Sequence, residues 1–247
     1  MIADFLLIDN SNSFTKFSLA WRDRLGPARK LPTKDVTPAA VKKTLGRWRW
    51  KGVVLSSVVP EKGDVLERAL ATTPVLRVSS KLQLGVGIEY PKPATIGADR
   101  LANAAGAFVL FGAPIVVVDF GTAVSFDIIS GAGNYVGGVI APGLEAMTDY
   151  LHQRTALLPR ITLLEPPSAI GKSTKHAMLA GAVYGYRGLV RQILKEIGKD
   201  LGIPSNMPVV ATGGYAELIA AGLPEIKVVT PNLTLEGLRI IAGLNGM

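Results

Sequence analysis

Two stretches of this chain, 110 residues apart, share one design. FLLIDNSNSFTKFSL runs from Phe5 to Leu19, and IVVVDFGTAVSFDII runs from Ile115 to Ile129. Each is an apolar run ending in an aspartate, then a turn of small residues, then a second β-type run. Asp9 and Asp119 hold the same place in the two copies. Short apolar runs bounded by small residues predict strands buried on both faces. A carboxylate is costly inside such a sheet. At the C-terminal end of a strand it sits instead at the mouth of the sheet, where open α/β sheets bind ligands. The echo predicts two similar halves, each opening on strand, turn, strand.

The rest of the pattern alternates. Further strands are predicted at Val53 to Leu55, Val75 to Val78, Tyr135 to Ala141, Val209 to Ala211, and Val228 with Val229. Helical patterns cover Glu61 to Thr72, Ile96 to Phe111, Gly143 to Leu151, Lys175 to Ile197, a stretch from Tyr215, and Leu235 to Leu244. Alternation of this kind is an α/β fold. The boundary between halves is placed near Ala113 and Pro114, giving 1–113 and 114–247. Leu101 to Val118 carries no charge and approaches the length of a short membrane span. The Gly112-Ala113-Pro114 break divides it into a buried helix and a strand, so no membrane partner is expected. The N-terminus lacks a basic n-region and is not read as a signal peptide. There is no cysteine, which excludes disulfides, thiolate catalysis and zinc–thiolate sites and suits a reducing cytosol.

The net charge is +8, and between Arg22 and Lys51 ten Lys or Arg face two Asp, an excess equal to the whole. RWRWK, from Arg47 to Lys51, alternates basic and aromatic residues as a nucleic-acid surface does. The alternative is a solvated helix and loop whose tryptophans pack inward, and the balance favours that. Attraction of an anionic substrate such as ATP is a third reading.

Gly121, Thr122 and Ala123 follow one aspartate, and Ser11, Asn12 and Ser13 the other. Small residues let backbone N–H groups and hydroxyls approach phosphate oxygens. The aspartates would act through a cation, since like charges repel. One such turn is ordinarily a hairpin with an Asx-turn. Two in register, with VVATGGY from Val209 to Tyr215 as a third glycine-rich turn before a helix, point to a nucleotide.

The set resembles type III pantothenate kinase, of the actin-like and sugar-kinase superfamily. Beyond the aspartate and TGG turns, the resemblance rests on Y-x-x-P-x-x-x-G-x-D-R at Tyr90 to Arg100, with Asn103 and Ala104 after it. It also rests on YVGGVIAPGLEAM at Tyr135 to Met147, Leu151, TALLP at Thr155 to Pro159, GKST at Gly171 to Thr174, and PNLTLEGL at Pro231 to Leu238. These follow one another in the family's order over nearly the whole chain. The resemblance implies two ribonuclease H-like (actin-like ATPase) domains with a nucleotide cleft between them. It implies ATP-dependent phosphorylation of pantothenate to 4'-phosphopantothenate, the first step of coenzyme A biosynthesis, in a cytoplasmic homodimer. The second half would supply much of the dimer contact.

By the same resemblance Asp99 is the general base. Asp9, Asn10, Ser11, Asn12, Ser13, Phe14, Thr15 and Lys16 would cradle ATP, with Thr122. Tyr90, Gly97, Ala98, Asp99, Arg100 and Thr174 would line the pantothenate site. Asp119 would bind a monovalent cation, K+ or NH4+, and Mg2+ would arrive with ATP. Read from the residues alone, Asp99-Arg100 is equally a solvated pair at a helix start, where an aspartate favours the dipole. GKST looks like the tail of a P-loop, but Pro166 stands where the first glycine belongs and no strand leads in, so that reading is rejected. His152 and His176, the only histidines, are read as structural or exposed. One departure stands out: Ser11 occupies the place of the family's D-x-G-N-T glycine. If the turn needs a positive φ there, serine costs about 1 kcal/mol or more. The competing class is a regulatory or nucleic-acid-binding protein on the same scaffold, against which stands the survival of Asp9, Asp99, Asp119 and Thr174.

Overall fold

The computed structural model describes residues 2–203 and 207–247. β1 (Ala3–Asn10) and β2 (Phe14–Ala20) form the first hairpin, followed by β3 (Arg29–Pro32), a 3-10 turn (Thr33–Asp35) and α1 (Pro38–Leu45). Then come β4 (Trp50–Ser57), α2 (Pro60–Ala69), β5 (Val75–Arg77), β6 (Gly87–Ile88) and α3 (Ala98–Phe111). The pattern restarts with the hairpin β7 (Ile115–Phe120) and β8 (Ala123–Ile129), then β9 (Asn134–Pro142), α4 (Leu144–Arg154) and α5 (Thr174–Asp200). β10 (Val209–Gly213), α6 (Ala216–Ala220), β11 (Val228–Val229) and α7 (Leu233–Leu244) complete it.

The first sheet runs β3-β2-β1-β4-β5, and the second runs β11-β10-β7-β8-β9 with β6 added beside the start of β9. Counted from its own aspartate strand, each sheet has the order 3-2-1-4-5. In both, strands one and two are antiparallel, while one and four, and four and five, are parallel. The duplication legible as two aspartate turns thus extends to the whole strand order.

The chain divides into two compact units. Unit 1 holds residues up to Ala113, then Ala132–Val136 and Asn232–Met247; unit 2 holds Pro114–Gly131 and Gly137–Pro231. The final helix therefore belongs with the first sheet. One face of that sheet carries Leu6, Ile8, Phe17, Val53 and Leu55, which pack with Val36, Val41, Leu45 and Leu66. Ala3, Phe5, Leu7 and Val54 alternate onto the other face, which α3 and α7 cover while packing on each other.

The basic segment folds into unit 1. Trp48 and Trp50 lie half-buried against the first core. The Arg29 guanidinium stacks 4.0 Å above the Trp48 ring and also donates to the Leu45 carbonyl at 3.2 Å, closing the C-terminus of α1. This is the inward-packing reading. β3, α1 and β6 were not among the expected elements. α1 had a signal: Thr37 caps it, accepting from the Ala40 N–H at 3.2 Å, with Pro38 in the first turn. The uncharged stretch is α3 followed by β7, divided where Gly112 takes φ 81°; α3 is buried from Leu101 to Ala107, but Val109, Leu110 and Phe111 of its last turn are exposed, so the expected buried helix is buried only in part. Among the described residues no helix is long and apolar enough to cross a membrane.

Unit 2 buries an arginine. Arg187 of α5 donates to both Glu165 oxygens, at 2.8 and 2.7 Å, and to the Leu218 and Ile219 carbonyls at the end of α6. Gly222 makes room, since a Cβ there would come within 2.4 Å of the guanidinium.

Candidate active site

In unit 1 the strand register sets a row of side chains. Asp9 pairs with Ser56 on β4 and with Lys16 on β2, and Lys16 pairs with Lys30 on β3. Directly paired residues share a face. Asp9 is 3% exposed, and the Lys16 ammonium lies 3.9 Å from its Oδ2. Ser11 donates its hydroxyl to Asp9 Oδ1 at 2.9 Å. The serine in place of glycine is therefore turned inward onto the carboxylate. Asn12, Ser13 and Phe14 form the exposed tip.

Asn10 and Thr15 alternate onto the opposite face and are buried. Asn10 Nδ2 donates to Thr15 Oγ1 at 2.8 Å, and the Ser57 hydroxyl donates to Asn10 Oδ1 at 2.8 Å. Thr15 Oγ1 lies 3.0 Å from Thr33 Oγ1. The structure thus separates the expected ATP residues into Asp9, Ser11 and Lys16 on one face and Asn10 and Thr15, with their side chains engaged inside, on the other.

Asp99 lies in the first turn of α3 and accepts the Arg100 N–H at 2.8 Å. Burial pushes its carboxyl above the ordinary 3.8, against the opposing pull of that N–H and of the Arg100 charge. Gly97 is required by proximity: a Cβ there would stand 2.6 Å from Asp99 Oδ1 and 3.5 Å from Val58, just past β4. The Arg100 guanidinium lies 5.8 Å from the Tyr135 ring, and Tyr90 meets the same ring edge-on at 6.1 Å. Tyr135, in a motif that the sequence marked without naming the residue itself, is fully buried beneath Tyr90 and Arg100.

In unit 2, Asp119 is half-buried at the end of β7, and Thr122 is exposed at the turn. Two glycines close on this turn. A Cβ at Gly143 would lie 2.2 Å from the Thr122 carbonyl oxygen. At Gly213, where φ is 96°, it would lie 2.6 Å from both Asp119 Oδ1 and the Phe120 carbonyl oxygen. Tyr215 donates its backbone N–H to Phe120 at 3.4 Å and its hydroxyl to Glu145 at the start of α4. The TGG turn and the Pro-Gly of β9–α4 are thus packed around the second aspartate. Gly143 is a supporting residue that sequence reading did not assign. Thr174 is the exposed first residue of α5, whose cap is Ser173, accepting from His176 N–H at 3.3 Å. GKST opens α5 with no strand between it and α4, in keeping with the rejected P-loop. Both histidines are exposed; the His152 ring bonds the Leu158 carbonyl at 2.9 Å.

Among the described residues no three carboxylates or histidines cluster about one metal position. The donors present fit an ion held mainly by a ligand's phosphates and waters, with one carboxylate at each turn. Asp119 Oδ1 and the Phe120 carbonyl oxygen, both 2.6 Å from where a Cβ on Gly213 would stand, are hard oxygen donors.

A family model for type III pantothenate kinase matches residues 5–196. The type III pantothenate kinase of Akkermansia muciniphila is 52% identical over 98% of this chain and 99% of its own length. Among solved structures, a Baf family transcriptional activator from Campylobacter jejuni has a TM-score of 0.60 at 18% identity, over 96% of this chain and 97% of its own. MreB 5 of Spiroplasma citri, bound to AMPPNP, has a TM-score of 0.56 at 12% identity, over 98% and 97%. At such identities the two structures show the fold alone, an actin-like ATPase fold of two mixed sheets. With the family model over most of its length and half its residues shared with a curated member, the chain belongs to the type III pantothenate kinase family.

Proposed function

We propose that the chain is an ATP-dependent pantothenate kinase, forming 4'-phosphopantothenate in the first step of coenzyme A biosynthesis. The observation that carries this is the 52% identity across essentially the full length of both proteins. The geometry of Asp99 supports it. A carboxylate in a partly desolvated helix start, with its pKa raised, is a stronger base than one in water.

Asp99 accepts the proton of pantothenate's primary hydroxyl as that oxygen attacks the γ-phosphorus. The bond from the γ-phosphorus to the β–γ bridging oxygen breaks, and ADP leaves with the electron pair. Lys16 and the N–H groups of Asn12 to Phe14 neutralise and orient the phosphates of ATP, with Thr122 contributing from the second turn. Asn10 and Thr15 hold that turn from behind. Arg100 pairs with the substrate carboxylate; Tyr90, Gly97, Ala98 and Thr174 complete the pantothenate site. Mg2+ bound with ATP would supply further charge neutralisation, and K+ or NH4+ held by Asp119 would supply fixed positive charge. Residues 1–113 and 114–247 are the two related halves of the scaffold, a reading that the matched strand orders support.

The proposed state is a homodimer in the cytoplasm, where ATP is available. Met147, Tyr150 and Leu151 of α4, with Leu157 at 89% exposure, form an apolar surface on unit 2 suited to a second copy. Nothing in the packing of Trp48 and Trp50 favours nucleic acid.

The test is ADP release from ATP, Mg2+ and pantothenate in K+, NH4+ or Na+, for wild type and Asp99→Asn. Pantothenate-dependent turnover that needs K+ or NH4+ and collapses in the variant is the expected result. Folded protein without turnover at any ATP concentration overturns the reading. Light scattering on the same sample reads the dimer.

A further inference from the structure

The first aspartate turn is held from behind by a segment that belongs to none of the recognised motifs. Thr33 opens the 3-10 turn after β3 and is 3% exposed. Its hydroxyl donates to the Ser11 carbonyl at 2.6 Å, and its N–H donates to the Ser13 carbonyl at 3.0 Å. These are two backbone oxygens of the same turn whose N–H groups would meet phosphate. Thr33 Oγ1 also lies 3.0 Å from Thr15 Oγ1, the first link of a buried chain through Asn10 to Ser57 on β4. Ser57 in turn accepts the Val59 N–H at 3.3 Å, at the start of α2. The segment carrying Thr33 is itself pinned, since Lys62 of α2 donates to the Lys34 and Val36 carbonyls at 3.0 Å each.

We infer that Thr33 is a positioning residue for nucleotide binding, fixing the Ser11–Phe14 turn through the chain Thr33–Thr15–Asn10–Ser57. This rests on the proposed ATP site. A peptide N–H aimed at phosphate works best when it is already in place, because a floppy turn must be ordered on binding. Thr33 holds the carbonyls of the turn from the side opposite Asp9, the Ser11 N–H closes the hairpin onto the Phe14 carbonyl at 3.2 Å, and the N–H groups of Asn12 to Phe14 are left to the ligand. The basic segment thus acts on the phosphates through a buried neutral hydroxyl.

The experiment compares Thr33→Val, which keeps the shape and the backbone N–H but removes the hydroxyl, with Thr33→Ser, which keeps it. Nucleotide Kd is read with a fluorescent ATP analogue without pantothenate, alongside KM for ATP and for pantothenate, kcat, and melting temperature. Loss of one buried hydrogen bond predicts that Thr33→Val raises nucleotide Kd and KM for ATP by roughly five- to tenfold. KM for pantothenate stays unchanged, and Thr33→Ser returns both nucleotide constants towards wild type. A lower melting temperature with unchanged nucleotide Kd overturns the inference, as does an equal rise in both KM values. Should Thr33→Val not fold, Ser57→Ala tests the far end of the chain; a two- to threefold rise in nucleotide Kd is expected, and none overturns it. If wild type binds the nucleotide but does not turn over pantothenate, the substrate assignment fails while the Kd comparison still decides the role of Thr33.

Discussion

Ser11 donates its hydroxyl to Asp9, Oγ to Oδ1 at 2.9 Å, across a turn where the family carries glycine. The substitution that looked like a liability is a bond to a buried carboxylate. A hydrogen bond to a charged acceptor contributes about 1.5–3 kcal/mol, less where the donor is half-exposed. Ser11→Gly or Ser11→Ala is expected to destabilise the protein by about 1 kcal/mol in urea denaturation. An unchanged midpoint would show that the bond is dispensable.

Asp99 should display a trade between activity and stability. Its pKa is raised in the folded state, so its ionised form is disfavoured by folding. Its contribution to stability is therefore fully present below the unfolded value near 3.8 and is lost as pH rises through the higher folded value. Asp99→Asn removes that loss. The variant is expected to be more stable than wild type at pH 7–8, with the gap closing towards acid, while kcat falls by roughly 10²–10⁴-fold. Paired denaturation curves at pH 3.5 and 7.5 would refute this if the gap did not depend on pH.

Gly97 sets where that carboxylate sits. A methyl 2.6 Å from Asp99 Oδ1 must push the base aside, since the helix start cannot yield. Gly97→Ala is expected to lower kcat roughly tenfold or more while leaving KM for ATP unchanged. A fall in ATP affinity instead would place Gly97 at the nucleotide.

Arg187 and Glu165 are unequal partners. Arg187 is buried and Glu165 is about half exposed. Arg187→Ala strands the Leu218 and Ile219 carbonyls and is expected to cost about 1–3 kcal/mol. Glu165→Gln should cost under about 1 kcal/mol. The Arg187 hydrogen bond and charge lower the Glu165 pKa, so its contribution is present above the ordinary 4.5 and fades as pH falls through the lowered value. Thermal melts from pH 7 to 3 should show wild type converging on Glu165→Gln. Parallel curves would contradict the pairing.

The hairpins were legible because their apolar runs and aspartates are local patterns, and the start of α3 because the helical pattern from Ile96 is contiguous. The basic segment was not. β3 begins Arg29-Lys30 and presents no apolar alternation, so its pairing with β2 is decided by the sheet already formed. Only the Thr37-Pro38 pair marked α1. The contacts of Thr33 with Ser11 and of Gly143 with Thr122 join residues about twenty apart, and nothing in a linear pattern reports a carbonyl accepting a bond. Tyr135 was missed because a buried tyrosine reads as core until its neighbours are known.

The placement of α7 in unit 1 sets an order of events during synthesis. Leu233, Leu235, Leu238 and Ile241 are buried there, on the face that holds Phe5 and Leu7. Residues 1–113 leave the ribosome with that face covered by α3 alone, and the rest of its cover is translated only after residues 114–232. At about 5–20 residues per second the delay is on the order of ten seconds. The nascent first half must stay out of aggregates for that time, so a stop codon before residue 233 should yield a chain that chaperones retain, even though it encodes every residue assigned to the phosphates and to pantothenate.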